Sequence, residues 1–528
     1  EGGMNRILVT EKIAAEGLDV LRQAGTVDVR LDLDKPTLLS VIGEYDALVV
    51  RSATKVTAEV IAAGERLRVI GRAGTGVDNI DVEAATRRGI IVVNAPASNN
   101  VAVAELTIGL LLCLARRIPQ AHASVQSGRW ARNEFVGWEV RGKTLGLVGL
   151  GRIGSEVARR ARAMEMEVLA YDPVVSFDRA EQLGVALVTL DELVQRSDVI
   201  SLHVPLIEST RNMFDHHRIM QMKRGAYLIN ASRGGIVDEA ALVEALNSGH
   251  LAGAALDVYA QEPPPADSPL LGHPKVITVP HIGASTAEAQ LSAGTEMAEG
   301  VVIALSGGTP RYAVNAPFVA PEAWNILQPY LNLGRLLGTL VMQLVQEPVR
   351  SYDLELGGEL ADMDTQPVRL AVLQGLLAAS SVERITPVNA PIIARERGVR
   401  MTERVTPEAE NYAGLITLHV QTGERTRTFS GTVLRGEPHI VQMDGYFVDF
   451  VPQGSLLITY HHDQPGMIGK VGQLLGAADV NISGMYVGRR APRERAVMVL
   501  TLDEPAPPHV MEQVAAIPGI QAAFSVQL

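Results

Sequence analysis

Short apolar runs recur along the first part of the chain, each ending in a polar or glycine-rich cluster and most followed by a stretch of helical periodicity. Ile7 to Val9, Ala47 to Val50, Val69 to Gly71 and Ile90 to Val93 have the length and β-branched content of buried strands, while Ala14 to Ala24 and Val82 to Arg88 repeat with helical spacing. This alternation predicts a small α/β domain with a parallel sheet. A long apolar helix, Val101 to Ala115, leads out of it and is expected to bridge to a second series. In that series the strands are Leu145 to Val148, Met166 to Tyr171, Asp198 to His203, Gly225 to Asn230, Ala252 to Asp257 and Val276 to Val279. Helical patterns at Ser155 to Met164, Leu190 to Gln195 and Glu239 to Ser248 alternate with them. A helix from Thr286 to Leu305 is expected to return to the first lobe, which makes that lobe discontinuous in sequence.

The pattern changes after the loop-like stretch from Ala316 to Pro321. Helical periodicity from Ile326 to Val345 opens a mixed module with strands at Ser351 to Leu356 and Leu415 to Val420. The last segment reads strand (Leu456 to His461), helix (Gly466 to Ala477), strand (Asn481 to Val487), strand (Ala496 to Leu502), helix (His509 to Ala516), strand (Ala522 to Gln527). That βαββαβ order predicts a ferredoxin-like unit. The expected division is 4–98 with 295–317, then 99–294, 318–453 and 454–528. Glu1-Gly2-Gly3 ahead of Met4 reads as an appended remnant and is left out of the fold.

Composition narrows the function classes. A hydrophobic content of 47% over 528 residues excludes wholesale disorder and supplies several cores. The formal charge of −12 argues against nucleic-acid and anionic-membrane partners, because the field repels phosphates. Cys113 is the one cysteine, so no intramolecular disulfide can form; it reads as a small buried hydrophobe in a reducing cytoplasm. No signal peptide and no apolar run long enough for a bilayer is found, and no metal site is expected.

The richest chemistry lies between Thr144 and Gly154, where the chain reads Thr-Leu-Gly-Leu-Val-Gly-Leu-Gly-Arg-Ile-Gly. A strand runs directly into Gly149, Gly151 and Gly154 and then into a helix. In this arrangement the first glycine permits a tight turn and the second lets a pyrophosphate approach the backbone. The third allows close helix–strand packing, and the helix offers its free N–H groups and positive dipole end to the phosphates. The next strand ends in Asp172, about 20 residues on, where a carboxylate meets the adenosine ribose. This is a dinucleotide site in a Rossmann-type, doubly wound sheet. Asp172 repels a 2′-phosphate, and Pro173-Val-Val175 supplies no arginine to offset that, so NAD is favoured over NADP.

Polar clusters at other strand ends are candidate substrate groups, since ligands bind beyond the carboxyl ends of parallel strands. Arg51, Ser52, Arg72, Gly74 and Thr75 follow strands of the first lobe, and Arg233, Glu262 and His281 follow strands of the second. Oxidising an alcohol requires a group that takes the hydroxyl proton as hydride leaves. Imidazole, with an ordinary pKa near 6.5, does this at neutral pH. Glu262 can orient His281 and favour its protonated form, and Arg233 offers a planar fork to a carboxylate. Taken singly, a Pro-His at a strand end also fits a structural role, and Glu262 also fits a solvated loop.

Three longer segments resolve the choice. Asn230-Ala-Ser-Arg-Gly-Gly-Ile-Val-Asp-Glu239, Asp257-Val-Tyr-Ala-Gln-Glu-Pro263 and Pro280-His-Ile-Gly-Ala-Ser-Thr286 resemble signatures of the D-isomer-specific 2-hydroxyacid dehydrogenases. The stretches from Val50 to Val56 and from Gly71 to Asn79 resemble the branch that oxidises 3-phosphoglycerate to 3-phosphohydroxypyruvate, the first step of L-serine biosynthesis. The resemblance implies a flavodoxin-like substrate domain, with Arg233, Glu262 and His281 as the catalytic set. It also implies cofactor contacts at Thr75, Gly149, Gly151, Arg152, Ile153, Gly154, Asp172, Ala231, Ser232, Arg233, Asp257, His281, Ile282, Gly283 and Ala284. Arg51, Ser52, Arg72, Gly74 and Arg132 match substrate positions. Arg132 belongs to a segment that crosses a dimer interface in the family, so a homodimer or homotetramer is implied.

Pro387 to Gly398 resembles the α+β intervening domain of long-form members, and Leu457 to Gly466 with Asn481 resembles an ACT regulatory domain. The latter implies L-serine as effector. Pro465 begins a helix whose amides suit a carboxylate, and Asp463 suits an ammonium; His461, Gly466 and Asn481 complete the regulatory set. Arg395, Arg397 and Arg400 in the middle module read as solvated charge, with binding of a phosphorylated effector as the second reading. Two other readings stay open: the same chemistry on glycerate/hydroxypyruvate or 2-hydroxyglutarate, and a NAD-sensing interaction protein without catalysis.

Overall fold

The computed structural model describes residues 4–317, 321–378, 380–381, 384–423 and 425–528. Residues 1–3 lie outside these, as do 318–320 in the stretch where a boundary is expected. Four sheets organise the described residues. The first has five parallel strands in the order Gly25–Val29, Asn5–Val9, Ala47–Val50, Val69–Arg72, Ile91–Val93. Its inner strands are buried on both faces, which explains their unbroken apolar runs. Gly25–Val29 escaped the sequence reading because it is a part-exposed edge strand with no continuous apolar run. Helix Ala287–Leu305 packs on this sheet through Ala293, Met297 and Val301, beside Ile7, Val49 and Val69. An added Cβ on Gly17 would meet the Gly294 carbonyl at 2.8 Å, so helix Ala15–Arg22 lies almost against the returning helix.

The second sheet has seven parallel strands in the order Val276–Thr278, Leu251–Leu256, Ala226–Asn230, Val199–Leu202, Thr144–Val148, Glu167–Tyr171, Ala186–Leu187. The chain leaves Thr144–Val148 toward one edge and returns to its other side at Val199–Leu202. The strand order reverses there, and that point opens a crevice at the carboxyl ends. Helix Asn100–Arg116 joins the two lobes, its Leu110, Leu111 and Leu114 packed in the core of the second. Cys113 is only half-buried at the edge of that core.

The third sheet has six strands. Met401–Thr406 pairs parallel with Val349–Gly358, and Gly414–Thr422, Thr426–Leu434, Glu437–Met443 and Tyr446–Phe450 follow antiparallel. Helices Pro321–Leu344 and Gln366–Ala378 cover one face. The last three strands, missed from sequence, are hairpins turned at Arg435-Gly436 and Asp444-Gly445, where both residues have positive φ. The Asp-Gly dipeptide was the available signal. The fourth sheet orders Ile482–Arg489, Arg495–Leu502, Ser455–His462 and Ile520–Gln527, all antiparallel, with helices Met467–Ala477 and Pro508–Ala515 on one face. This is the predicted ferredoxin-like order. No helix of the described residues is long and apolar enough to cross a membrane.

The glycine loop sits at the strand-order reversal, and its three glycines do different things. Gly149 has φ +97°, and an added Cβ would lie 2.4 Å from the His203 carbonyl. A Cβ on Gly154 would lie 2.1 Å from the Gly149 carbonyl, whereas one on Gly151 meets nothing within 4 Å. Gly154→Ala should therefore lower the melting temperature through a destabilisation of about 1–3 kcal/mol. Gly151→Ala should melt normally and lose NAD affinity; calorimetry with and without NAD separates the two.

His203 closes the loop from below. Its Nε2 meets Ser201 Oγ at 2.9 Å, and burial lowers the imidazole pKa to about 4. Nδ1 has no partner among the described residues, although part of the ring surface reaches solvent. An unfolded histidine takes its proton near pH 6.5, so on acidification the unfolded chain binds more protons than the folded one. Stability should be full above that pH and fall by roughly 1–3 kcal/mol toward pH 4, less than the full conversion because the ring is not wholly desolvated. Urea melts across this range check it, and the dependence should flatten in His203→Gln.

Candidate active site

His281 is held in a left-handed turn of the second lobe. It follows Pro280 at the end of strand Val276–Thr278 and has φ +52°, a left-handed conformation that costs on the order of 1–3 kcal/mol outside glycine. Asp257 holds it there. The buried carboxylate takes the Ile282 N–H at 2.7 Å and the Gly283 N–H at 2.9 Å. Burial raises the Asp257 pKa, and these two backbone donors oppose the rise. The turn continues through Ala284, with the Ser285 N–H donating to the Ile282 carbonyl at 2.9 Å.

Glu262 reaches the imidazole from the next loop. Its Oε2 lies 2.6 Å from His281 Nδ1, and its Oε1 accepts the Tyr259 N–H at 3.1 Å. Tyr259 is itself pinned by its hydroxyl to the Val279 carbonyl at 2.9 Å. A carboxylate only accepts, so Nδ1 carries the proton and Nε2 is left as the basic nitrogen. Half of the His281 side chain is exposed, so Nε2 is open to a reactant rather than sealed in the core.

Arg233 stands on the neighbouring strand end. Asn230 fixes its turn by accepting from Ser232 N at 3.1 Å and Ser232 Oγ at 2.8 Å, while donating to the Arg233 carbonyl at 2.9 Å. Ala231 is buried beneath. Arg233 Nε then donates to Asp78 Oδ2 at 3.1 Å, which joins the two lobes across the cleft. Asp78 was not singled out in sequence, although it sits in the quoted stretch from Gly71 to Asn79.

The first lobe presents its own cations to the same cleft. Burial, then the Arg233 charge, lowers the Arg72 pKa; Asp78 and Glu11 oppose this and Arg51 adds to it, so all five groups lie within electrostatic reach. Arg72 Nε donates to Asn79 Oδ1 at 3.0 Å and its guanidinium folds over Gly74, where a Cβ would meet Nη1 at 2.6 Å. Asn79 ties the Arg51–Thr54 loop down through the carbonyls of Arg51 (2.8 Å) and Thr54 (2.7 Å). Glu11 holds the other side, accepting from the N–H groups of Arg51 (2.9 Å), Ala53 (3.1 Å) and Thr54 (2.9 Å). Burial raises its pKa, but those backbone donors win and the net shift is downward. Ser52 is exposed between them. Sequence reasoning missed Glu11, which the strand-end rule applied to Ile7–Val9 would have flagged. Arg132 makes no hydrogen bond or ion pair with any of these groups; it lines a separate cleft with Ile118, Val125, Trp130 and Phe135.

A dinucleotide fits the residues present. Helix Arg152–Ala163 begins without a side-chain cap, and its first N–H groups face the open space over Gly151. Asp172 stands across the loop, accepting Leu150 N–H at 2.9 Å and Val174 N–H at 2.9 Å. Arg152 lies over the Tyr312 ring at 5.9 Å, Ile153 packs on the core, and Thr75 Oγ1 donates to Asn99 Oδ1 at 2.9 Å.

The regulatory candidates lie on the fourth sheet, and each already has a partner or a structural place. Asp463 accepts from Arg493 N–H at 3.0 Å and Arg489 Nη1 at 3.0 Å, which lower its pKa in that order. Asn481 donates to Asp503 at 2.6 Å, and Gly466 starts helix Met467–Ala477. His461 is buried, with Nδ1 3.2 Å from Thr459 Oγ1, and burial lowers its pKa.

Comparison with known proteins agrees with this architecture. The model of the D-isomer specific 2-hydroxyacid dehydrogenase NAD binding domain matches residues 108–283, that of the D-3-phosphoglycerate dehydrogenase intervening domain 326–444, and that of the ACT domain 455–519. The D-3-phosphoglycerate dehydrogenase of Archaeoglobus fulgidus is 44% identical over 99% of this chain and 100% of its own. That of Methanocaldococcus jannaschii is 45% identical over the same shares. Among solved structures, a protein from Thermus thermophilus matches at 38% identity with a TM-score of 0.55, covering 58% of this chain and 99% of its own. D-lactate dehydrogenase from Aquifex aeolicus, solved with NAD and lactic acid, matches at 30% and 0.54, covering 59% and 100%. This chain, an NAD-dependent dehydrogenase, belongs to the D-3-phosphoglycerate dehydrogenases within the D-isomer-specific 2-hydroxyacid dehydrogenase family.

Proposed function

We propose that the chain oxidises 3-phospho-D-glycerate to 3-phosphohydroxypyruvate, the entry to L-serine synthesis, under feedback from L-serine. The observation that carries this is the His281–Glu262 pair set beside Arg233, facing Arg51 and Arg72 across one cleft. The Gly149–Gly154 loop would hold NAD, which when bound would supply the hydride acceptor. His281 Nε2 takes the hydroxyl proton of the alcohol, and Glu262 stabilises the imidazolium that results. Arg233 receives the substrate carboxylate in competition with Asp78 and polarises the oxygen on the reacting carbon. Arg72 and Arg51 meet the phosphate, the half-buried Arg72 offering it the guanidinium donors that Asn79 does not use. Arg132, beside the strongly exposed Trp130, reaches the phosphate end from a neighbouring copy in a homodimer or homotetramer.

The same reading assigns 4–98 with 295–317 to substrate, 99–294 to NAD, 318–453 to the intervening module and 454–528 to effector binding. L-serine replaces the internal partners of Asp463 and Asn481 at that last module, and the enzyme works in the cytoplasm.

Steady-state oxidation of NADH with 3-phosphohydroxypyruvate, hydroxypyruvate or 2-oxoglutarate, with and without L-serine, tests the assignment. The phosphorylated acid should be preferred and serine should slow it; equal kcat/KM for the three acids overturns the substrate, and indifference to serine overturns the feedback alone. In the same assay His281→Asn should cut kcat by about 10²–10⁴-fold while NAD binding holds. Asp172→Ala should weaken NAD binding by about tenfold and narrow the gap to NADP, read by fluorescence titration of both cofactors.

A further inference from the structure

A second cavity, of about 880 Å³, lies where the five-stranded lobe meets the six-stranded module. Arg68 and Arg311 line it from the lobe, and Arg335 and Arg384 from the module. It lies away from the catalytic cleft. Arg68 precedes strand Val69–Arg72 and Arg72 ends it, so the cavity and the cleft sit about 13 Å apart along that strand, at opposite ends of the sheet.

Its charge is one-sided. The chain carries 59 acidic against 47 basic residues, yet no aspartate or glutamate is among the described residues lining this cavity. None of the four arginines has a carboxylate within ion-pair distance among the described residues. Elsewhere on the same seam Arg87 is neutralised by Glu396 at 2.9 Å. Arg68 spends Nη2 on the Leu305 carbonyl at 2.8 Å and Nη1 on Asn5 Oδ1 at a long 3.5 Å, and Arg335 spends Nη2 on Asn332 at 3.0 Å; each five-donor fork keeps further N–H groups available. Burial, then the charge of Arg68, lowers the pKa of Arg384, which shows the lobe and the module pressing like charges together. Such a convergence is offset by an anion that accepts from several guanidinium groups at once. The volume exceeds that of a bare phosphate and falls in the range of small-molecule sites.

We infer that this seam is a binding site for a phosphate-bearing small polyanion, gripped between lobe and module by Arg68, Arg311, Arg335 and Arg384. It is independent of the proposed substrate, because none of these residues belongs to the catalytic cleft. Its occupant ties the module to the lobe and so couples the downstream half of the chain to the domain that carries Arg51 and Arg72.

Isothermal titration of the full-length protein with inorganic pyrophosphate tests it. Wild type should show two classes of site, one in the catalytic cleft and one at the seam. Arg335→Gln with Arg384→Gln should weaken the seam class by about tenfold or more while kcat stays at the wild-type value. Asn332→Asp keeps all four arginines and sets a carboxylate beside Arg335, so it should produce the same loss if the double variant fails to fold. Wild-type stoichiometry and affinity for pyrophosphate in the folded variants overturn the site.

Discussion

A buried carboxylate meeting two successive backbone N–H groups is the constraint on which the catalytic half depends. Asp257 ends one strand and holds the turn that ends the next. Without it, His281 has no reason to remain left-handed at φ +52°. The clamp works because the desolvation cost of Asp257 is met by donors whose positions the parallel sheet already determines. From that turn the chain of contacts runs outward: Ile282 and Gly283 aim the imidazole, Glu262 sets its tautomer, and Tyr259 sets Glu262. Flexible reach is nearly absent. Each group is one strand end away from its partner.

The second constraint is that two parallel sheets present their carboxyl ends to one cleft. Arg233 and Asp78 come from different lobes and meet at 3.1 Å, so an ion pair spans the cleft. Helix Asn100–Arg116 and the returning helix Ala287–Leu305 are the two crossings between the lobes, and both are packed into cores rather than left as linkers. The tail repeats the logic with different chemistry. Arg427, buried in the six-stranded sheet, bonds Asp444 at 2.6 Å and Tyr460 of the last sheet at 3.0 Å, so the ACT module is pinned to the intervening one by a satisfied polar cluster. Such contacts hold the two downstream sheets to each other.

Legibility in the sequence followed burial. Strands such as Ala47–Val50 and Val199–Leu202 are buried on both faces and announce themselves as continuous apolar runs. Gly25–Val29 did not, because an edge strand is stabilised by pairing with Asn5–Val9 rather than by its own side chains. The hairpins from Thr426 to Phe450 alternate weakly, since one face of their sheet is polar, with Thr417, Ser430 and Gln442 in place of a core. At the cleft, Arg51, Arg72, Arg233, Glu262 and His281 were visible as polar punctuation after apolar runs. Glu11 follows the apolar run Ile7–Val9 in the same way, but its role, like that of Asp78, lies in backbone and ion-pair contacts to residues far away in the chain.

The sequence by itself marked the glycine loop and the strand-end candidates Arg233, Glu262 and His281. Both consist of local patterns, a strand, a glycine turn and a helix in one case and a short fixed spacing from a strand end in the other, and local patterns survive being written in one dimension. Tertiary structure alone decided which strand ends face each other. It brought Asp78 to Arg233, left Arg132 in another cleft, and gathered four arginines from distant segments around one seam. The physical reason is the same in each case. Charge and hydrogen bonding act through space over a few ångströms, and only the packing of the two lobes and the module sets those distances.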